Sequence, residues 1–572
     1  FQGGRSFPRA VADTTPQFKV VRATKLNSIV LVIDTSASME TRNKLTRAVQ
    51  AATYFIEDGL DNGVFLGLVT FSTVATVVTP ITELTSEGSR SVISQKLPRT
   101  TEGKTSIATG LLTTLQLIKN HENSTSGGFI VLITDGRGTT TPTLDDARSA
   151  IKDSGVIINV IAFDDDKDTS LEKLTTETGG RYYYDTREEM STSAVDAMLD
   201  IYRFFDSDSD RIPVQIVSET DYLAPFQTMS GSFKLDLSLG KHTRAIITYT
   251  SELPPNITVT SPTGRRYCYL YPEYFNDPIL KRVKLSIPFL AEIGHWNYAI
   301  KNSEAASSYV VSIVVMSSSR NSTIPTLKFS GDILLENNTW PIRSVVVAEV
   351  TRNGMPAKDL TVRGIVSRPM AAPEIIELYD NGAGADAVKG DGIYSRFFTR
   401  FSTSGHYSLN IEMLDARGET IVASGISNFI TFSDSESSQI ATGYASSVHI
   451  EHPQLPVSRP TDSVVVDEYP PMRITDLRVL HTCAANGSVV LAWTAPGDDL
   501  DYDTASSYTI VMSSSVEAII NSQELPLLDN TYVIKGNLYA PKSFGDKEEV
   551  SVLFLSFVCV LLCAARHRRI TS

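Results

Sequence analysis

Cysteine is scarce: there are four in 572 residues. That count excludes a disulfide-built scaffold. Cys268 and Cys483 are far apart and Cys559 and Cys563 sit in an apolar tail, so no pair has the spacing of a thiolate zinc site. Basic residues are also in deficit, with 51 Lys and Arg against 65 Asp and Glu and a formal net charge of −14. Nucleic-acid binding depends on clustered Lys and Arg, and this balance argues against it. His121-Glu122 is not followed by a second histidine at position 125, so the chain has no HExxH zinc motif. Apolar residues are not lacking: 42% hydrophobic and 20% charged residues exclude wholesale disorder. At roughly 150 residues per domain, the length implies about four domains.

Between residues 25 and 207, short apolar runs alternate with helical patterns. SIVLVID (28–34), VFLGLVTFS (64–72), FIVLIT (129–134) and VIINVIAF (156–163) read as buried strands, with a further strand at 181–184. Helical spacing of apolar residues falls at 44–60, 105–119, 145–153, 168–178 and 192–205. This alternation predicts a doubly wound α/β domain with a mainly parallel sheet, whose ligands bind at the carboxyl ends of the strands.

After residue 207 the helical patterns vanish. Strands rich in Val, Ile, Thr and Tyr recur between Gly, Pro, Asn and Asp turns, predicting a β-rich domain over 208–324 and a second, sandwich-like one over 325–435. The Ser- and Pro-containing stretch 436–469 reads as a linker. A further β pattern over 470–549 suits a β-sandwich short of strands. Residues 1–24 read as a polar linker; with Phe1 in place of an initiator Met and no signal-like apolar stretch, the chain reads as a fragment or a processed form. Val550–Ala565 followed by Arg566-His567-Arg568-Arg569 has the shape of a membrane span with a basic stop over 567–572. Such a run covers only about 24 Å of a roughly 30 Å hydrocarbon core. The competing reading is a buried strand.

The first predicted strand ends in Asp34-Thr35-Ser36-Ala37-Ser38. A carboxylate and two hydroxyls at alternate positions in a loop leaving a parallel strand can converge on one point. Thr105 opens a helix and Asp135 closes a strand at comparable ends. All five are hard oxygen donors, which favours Mg2+ or Ca2+ over zinc. The bland alternative is that Ser36 and Ser38 merely cap a helix, but capping would not require Thr105 and Asp135. The two acids balance a divalent charge, the hydroxyls are neutral, and an open position remains for a partner's carboxylate. No His or Glu near these loops is an obvious base for activating water, so the centre reads as a binding device with no catalytic residue.

Asp380, Asp386 and Asp391, among several glycines, could wrap a second ion, calcium, although the register is not that of an EF-hand. The alternative is a Gly/Asp hairpin whose side chains satisfy backbone amides. The acidic run 498–503 reads as a solvated loop. Asn-x-Ser/Thr glycosylation sequons begin at Asn123, Asn256, Asn321, Asn337 and Asn486.

The Asp-x-Ser-x-Ser loop with its distant Thr and Asp resembles the metal-ion-dependent adhesion site (MIDAS) of von Willebrand factor A domains. The phrases LYDNGAGADAVKGDGIYSRFF (378–398), PPMRITDL (470–477) and LAWTAPGDDLDYDTASSYTI (491–510) extend the likeness, and the chain from about residue 20 to 515 resembles the calcium-activated chloride channel regulator family. The loop reads DTSASM where that family often has DKSGSM, with every ligand preserved. The resemblance implies an extracellular, secreted or cell-surface protein that regulates calcium-activated chloride conductance without forming the pore. It implies a fibronectin type III-like domain over 470–549 and metal contacts made directly by the hydroxyls and partly through water by the acids. It also implies an upstream metallohydrolase domain, whose HExxH motif this chain lacks. The expected partner is a membrane channel or matrix protein presenting an acidic residue, with membrane association through the tail as a further option. The alternatives are an adhesion protein with no channel role and the non-catalytic remainder of a self-cleaving metalloprotease.

Overall fold

The structure, a computed structural model, describes residues 28–136, 138–163, 170–185, 193–205, 212–321, 325–335, 342–358, 360–415, 438–450, 469–483, 485–513, 527–528, 530–553 and 560–566. The amino-terminal unit is built on strands β1 (Ser28–Asp34), β2 (Phe65–Phe71), β3 (Ala75–Glu83), β4 (Phe129–Thr134), β5 (Ile157–Ala162) and β6 (Tyr182–Tyr184). Their order in the sheet is β3-β2-β1-β4-β5-β6. All neighbours are parallel except β3, which pairs antiparallel with β2 at the edge. Helices α1 (Lys44–Tyr54), α2 (Glu87–Ser94), α3 (Ile107–Glu122), α4 (Leu144–Ser154), α5 (Ser170–Thr178) and α6 (Ser193–Phe205) accompany the strands. Odd residues of β1 face one apolar core with α1 and α6, while Val30 and Val32 face another with α3 and α4. Every residue of β1 and β4 is buried, as a central parallel strand covered on both faces requires.

β1 and β4 are the central pair, and β1 lies between β4 and β2. Their carboxyl ends therefore present Asp34 and Asp135 side by side, at the end of the sheet where doubly wound folds bind ligands. The sequence did not foretell β3 or α2. β3 is an exposed edge strand carrying Pro80, so it lacks the continuous apolar run that marks a buried strand.

The following β region corrects two expected boundaries. One core runs from Val214 to Ala441, across the division expected near residue 325. An eight-stranded sheet joins both halves, because strand Ser438–Ile450 pairs antiparallel with Gly405–Asp415 and parallel with Thr228–Leu235. The stretch expected as a linker over 436–469 therefore contains a central strand. Its Ser and Gly content hid it, because small polar residues read as linker composition until a sheet supplies neighbours on both sides.

Carboxyl-terminal to that, two small sheets share a core containing Trp493, Tyr508, Leu491, Ile510 and Val550. The apolar run from Val550 is divided between strand Lys547–Leu553, paired with Ser488–Thr494, and strand Val560–Arg566, paired with Ser507–Ser513. Among the described residues no helix is long and apolar enough to cross a membrane. Within the stretch expected as a span over 550–566, the described residues lie in these two strands, with Val550 and Val552 buried against the small core, and residues 554–559 lie outside the described residues. The acidic run 498–503 also departs from a solvated loop. Asp501 and Tyr502 are buried, with Asp501 Oδ2 accepting the Phe397 amide at 2.9 Å and the Arg396 guanidinium lying 4.4 Å over the Tyr502 ring.

Candidate metal centre

The site begins with the way β1 stops. The Thr35 amide donates to the Phe71 carbonyl at 2.7 Å, extending the β1–β2 register by one residue. The chain then turns, and the Ser36 amide donates to Asp34 Oδ1 at 2.8 Å. Two backbone bonds tie this loop to the one before α3: Ala37 N to the Gly103 carbonyl at 3.2 Å, and Glu102 N to the Thr35 carbonyl at 2.7 Å. Gly103 has φ of +73°, and a Cβ there would lie 2.6 Å from Thr73 Oγ1, so this junction favours glycine.

The side chains converge across the junction. Ser36 Oγ and Ser38 Oγ are 3.1 Å apart, and Ser38 Oγ donates to Asp135 Oδ1 at 2.8 Å. Thr134 Oγ1 donates to the remaining oxygen of Asp34, Oδ2, at 2.6 Å. Lys44, the first residue of α1, places Nζ 2.7 Å from Asp135 Oδ2, with both side chains buried. Each of the four carboxylate oxygens thus has a protein donor and keeps further acceptor capacity. Burial pushes the Asp34 carboxyl up to about 6; bonds from Thr134 and Ser36 act against that rise, and the nearby Asp135 adds to it. A divalent cation offsets such crowding of two buried acids.

Thr105 is buried on the neighbouring loop. Its amide donates to Thr139 Oγ1 at 3.1 Å, and its carbonyl accepts the Thr139 amide at 2.7 Å. Its hydroxyl makes none of the hydrogen bonds among the described residues, which leaves that oxygen for another ligand. Ser38 is exposed whereas Asp34, Ser36, Thr105 and Asp135 are buried, so the cluster opens to solvent on the Ser38 side. This donor set of hydroxyls and carboxylates, free of sulfur and imidazole, fits a hard divalent cation. Sequence reasoning missed Thr134 and Lys44. For Thr134 the available signal was the hydroxyl immediately before Asp135; Lys44 had none, since α1 also carries Arg47 and Gln50 among its buried residues.

The second acidic cluster also converges: carboxylate oxygens of Asp380, Asp386 and Asp391 lie within 4.8 Å of one another. Asp380 accepts the amides of Gly390, Asp391 (3.3 Å) and Gly392 (3.1 Å), and Asp391 accepts that of Ile393 at 2.9 Å. The hairpin reading therefore accounts for these contacts, and burial pushes the Asp386 carboxyl up. Of the glycosylation sequons, Asn123, Asn256, Asn321 and Asn486 are exposed, and Asn337 lies outside the described residues.

Residues 28–197 match the model of the von Willebrand factor type A domain, so the class is that of an A-domain protein with a β-rich remainder. Human calcium-activated chloride channel regulator 1 is 30% identical over 532 residues, covering 90% of this chain and 56% of that protein. The mouse protein of the same name is 31% identical over 89% of this chain and 56% of its own length. Human calcium-activated chloride channel regulator 4 is 28% identical over 95% of this chain and 59% of its own. The chain is thus similar to the calcium-activated chloride channel regulators and spans somewhat more than half the length of those it matches. A solved mussel byssus structure, proximal thread matrix protein 1 with a zinc-occupied MIDAS motif, aligns at 18% identity over 32% of this chain and 47% of that one. Its TM-score of 0.25 is a likeness too weak to argue from.

Proposed function

We propose that Asp34, Ser36, Ser38, Thr105 and Asp135 hold a divalent cation, Mg2+ or Ca2+, and that the exposed Ser38 side receives a carboxylate from a membrane channel or matrix partner. The observation that carries this reading is the Ser38–Asp135 hydrogen bond, which joins two strand ends beside a third loop bearing a buried threonine with an uncommitted hydroxyl. When bound, the cation supplies a Lewis-acidic attachment point for the partner's oxygen. The protein's own part is to hold both carboxylates behind the hydroxyls: Ser36 N–H and Thr134 fix Asp34, and Ser38 and Lys44 fix Asp135. The role is a binding one, in an extracellular or cell-surface regulator of calcium-activated chloride conductance; the names of the relatives support the regulatory part. A fibronectin type III-like fold for the last unit is supported by its two sheets closing over Trp493 and Tyr508, whose rings meet edge-on at 5.0 Å. Calcium among Asp380, Asp386 and Asp391 belongs to the same proposal, supported by the approach of those carboxylates.

The test is chloride current in cells expressing the calcium-activated channel, with wild-type protein or Asp34→Ala applied. The reading expects current to rise with the wild type only. A mutant equal to the wild type overturns the adhesion mechanism.

A further inference from the structure

Lys44 stands out at the A-domain centre as a cation where a cation is to bind. It opens α1, its side chain is 5% exposed, and its ammonium lies 2.7 Å from Asp135 Oδ2. The other oxygen of the same carboxylate is held by Ser38 at 2.8 Å. We propose that Lys44 is a specificity-determining residue, which weakens the centre's hold on a bare divalent ion and strengthens its hold on an ion bearing a carboxylate, so that cation and acidic partner bind cooperatively. This rests on the metal-binding reading given above.

The argument is a charge count in a buried place. Asp34 and Asp135 contribute two negative charges, Lys44 one positive, and the hydroxyls of Ser36, Ser38 and Thr105 none. A divalent ion therefore leaves the centre with an excess of one positive charge, which a partner's carboxylate cancels. Without Lys44 the ion alone would neutralise the centre, and an added carboxylate would leave an excess negative charge. Exposed Glu40 and Glu102 stand on the rim, where water screens them. Lys44 is buried, so its field reaches the centre with little screening. Asp135 also bridges the two effects: the oxygen held by Lys44 is on the far side of the carboxylate from the one held by Ser38, so the positive charge acts through the acid without occupying the open face.

The experiment titrates Mn2+ into the full chain, alone and with excess acetate at fixed ionic strength, following water-proton relaxation. In Lys44→Met, Mn2+ alone should bind about tenfold tighter or better, and the tightening brought by acetate should shrink. Lys44→Arg should keep the wild-type pattern. These two shifts run in opposite directions, which a merely damaged site does not produce. Weaker binding of both, or no change in either, overturns the role of Lys44, while wild-type Mn2+ binding that Asp34→Ala abolishes keeps the centre itself. No Mn2+ binding by the wild type removes both readings. If circular dichroism shows Lys44→Met unfolded, Lys44→Gln, neutral but able to donate to Asp135, takes its place with the same expectations.

Discussion

Ser38 donates its hydroxyl proton to Asp135 at 2.8 Å, across 97 residues of sequence. The bond exists because β1 and β4 are adjacent and parallel, so the loops leaving both strands meet at the same end of the sheet. An electron-poor cation held at that meeting point can attach a partner without any catalytic group.

The first prediction concerns Asp34. Asp34→Ala should abolish cation-dependent capture of a partner and any thermal stabilisation by Mg2+ or Mn2+. It leaves the Thr134 hydroxyl without its acceptor, which costs about 1–3 kcal/mol, so the far-ultraviolet circular dichroism should be native and the melting temperature modestly lower. A melting curve with and without metal checks both parts.

A second prediction addresses the junction between the A domain and the β region. Asp58 is buried, with Lys284 Nζ at 2.6 Å, Arg282 at 3.8 Å and Arg244 also paired to it. Burial pushes its carboxyl up, but the three cations outweigh burial and hold it below the ordinary range. Its stabilising contribution is therefore full above the ordinary carboxylate range and is lost as pH falls through its lowered value. Asp58→Ala strands Lys284 and Arg244, while Arg282 keeps Glu57 at 2.6 Å, and should destabilise the junction by about 3–5 kcal/mol. Faster limited proteolysis at neutral pH would register that loss.

Asp501 should behave in the opposite sense. Burial raises its carboxyl to about 7, against the Phe397 amide and Arg396. The folded state thus keeps a proton that the unfolded chain has lost above about 4. Stability of this contact should fall as pH rises from about 4 to 7 and level off above. Asp501→Asn should flatten that slope. Hydrogen exchange of residues 393–398 at several pH values measures it.

The second acidic cluster yields a discriminating result. If calcium binds there, its increment in melting temperature should survive Asp34→Ala and disappear in Asp380→Ala. An increment lost only in Asp34→Ala would leave Asp380, Asp386 and Asp391 as turn residues alone.

How far the sequence spoke depended on how local each signal was. SIVLVID and FIVLIT are continuous apolar runs, and β1 and β4 occupy them residue for residue. Asp34, Ser36 and Ser38 were legible because alternate positions in one loop suffice to name them, and Thr105 and Asp135 because each stands at an element's end. Lys44 was not legible, since only the packed structure shows its ammonium buried beside Asp135. The strand at 438–450 was hidden for a similar reason: its partners lie at 405–415 and 228–235. Asp501 looked solvated because four neighbouring polar or acidic letters give no hint of Arg396, which reaches it from 105 residues away.

The most direct measurement of the central claim is anomalous diffraction from crystals of the chain soaked in Mn2+. The account predicts a peak at metal–oxygen distance, about 2.1 Å, from the hydroxyls of Ser36 and Ser38, with Thr105 in the same shell and one coordination position facing solvent. Well-ordered loops with no peak among these residues, or a peak coordinated elsewhere in the A domain, would contradict it.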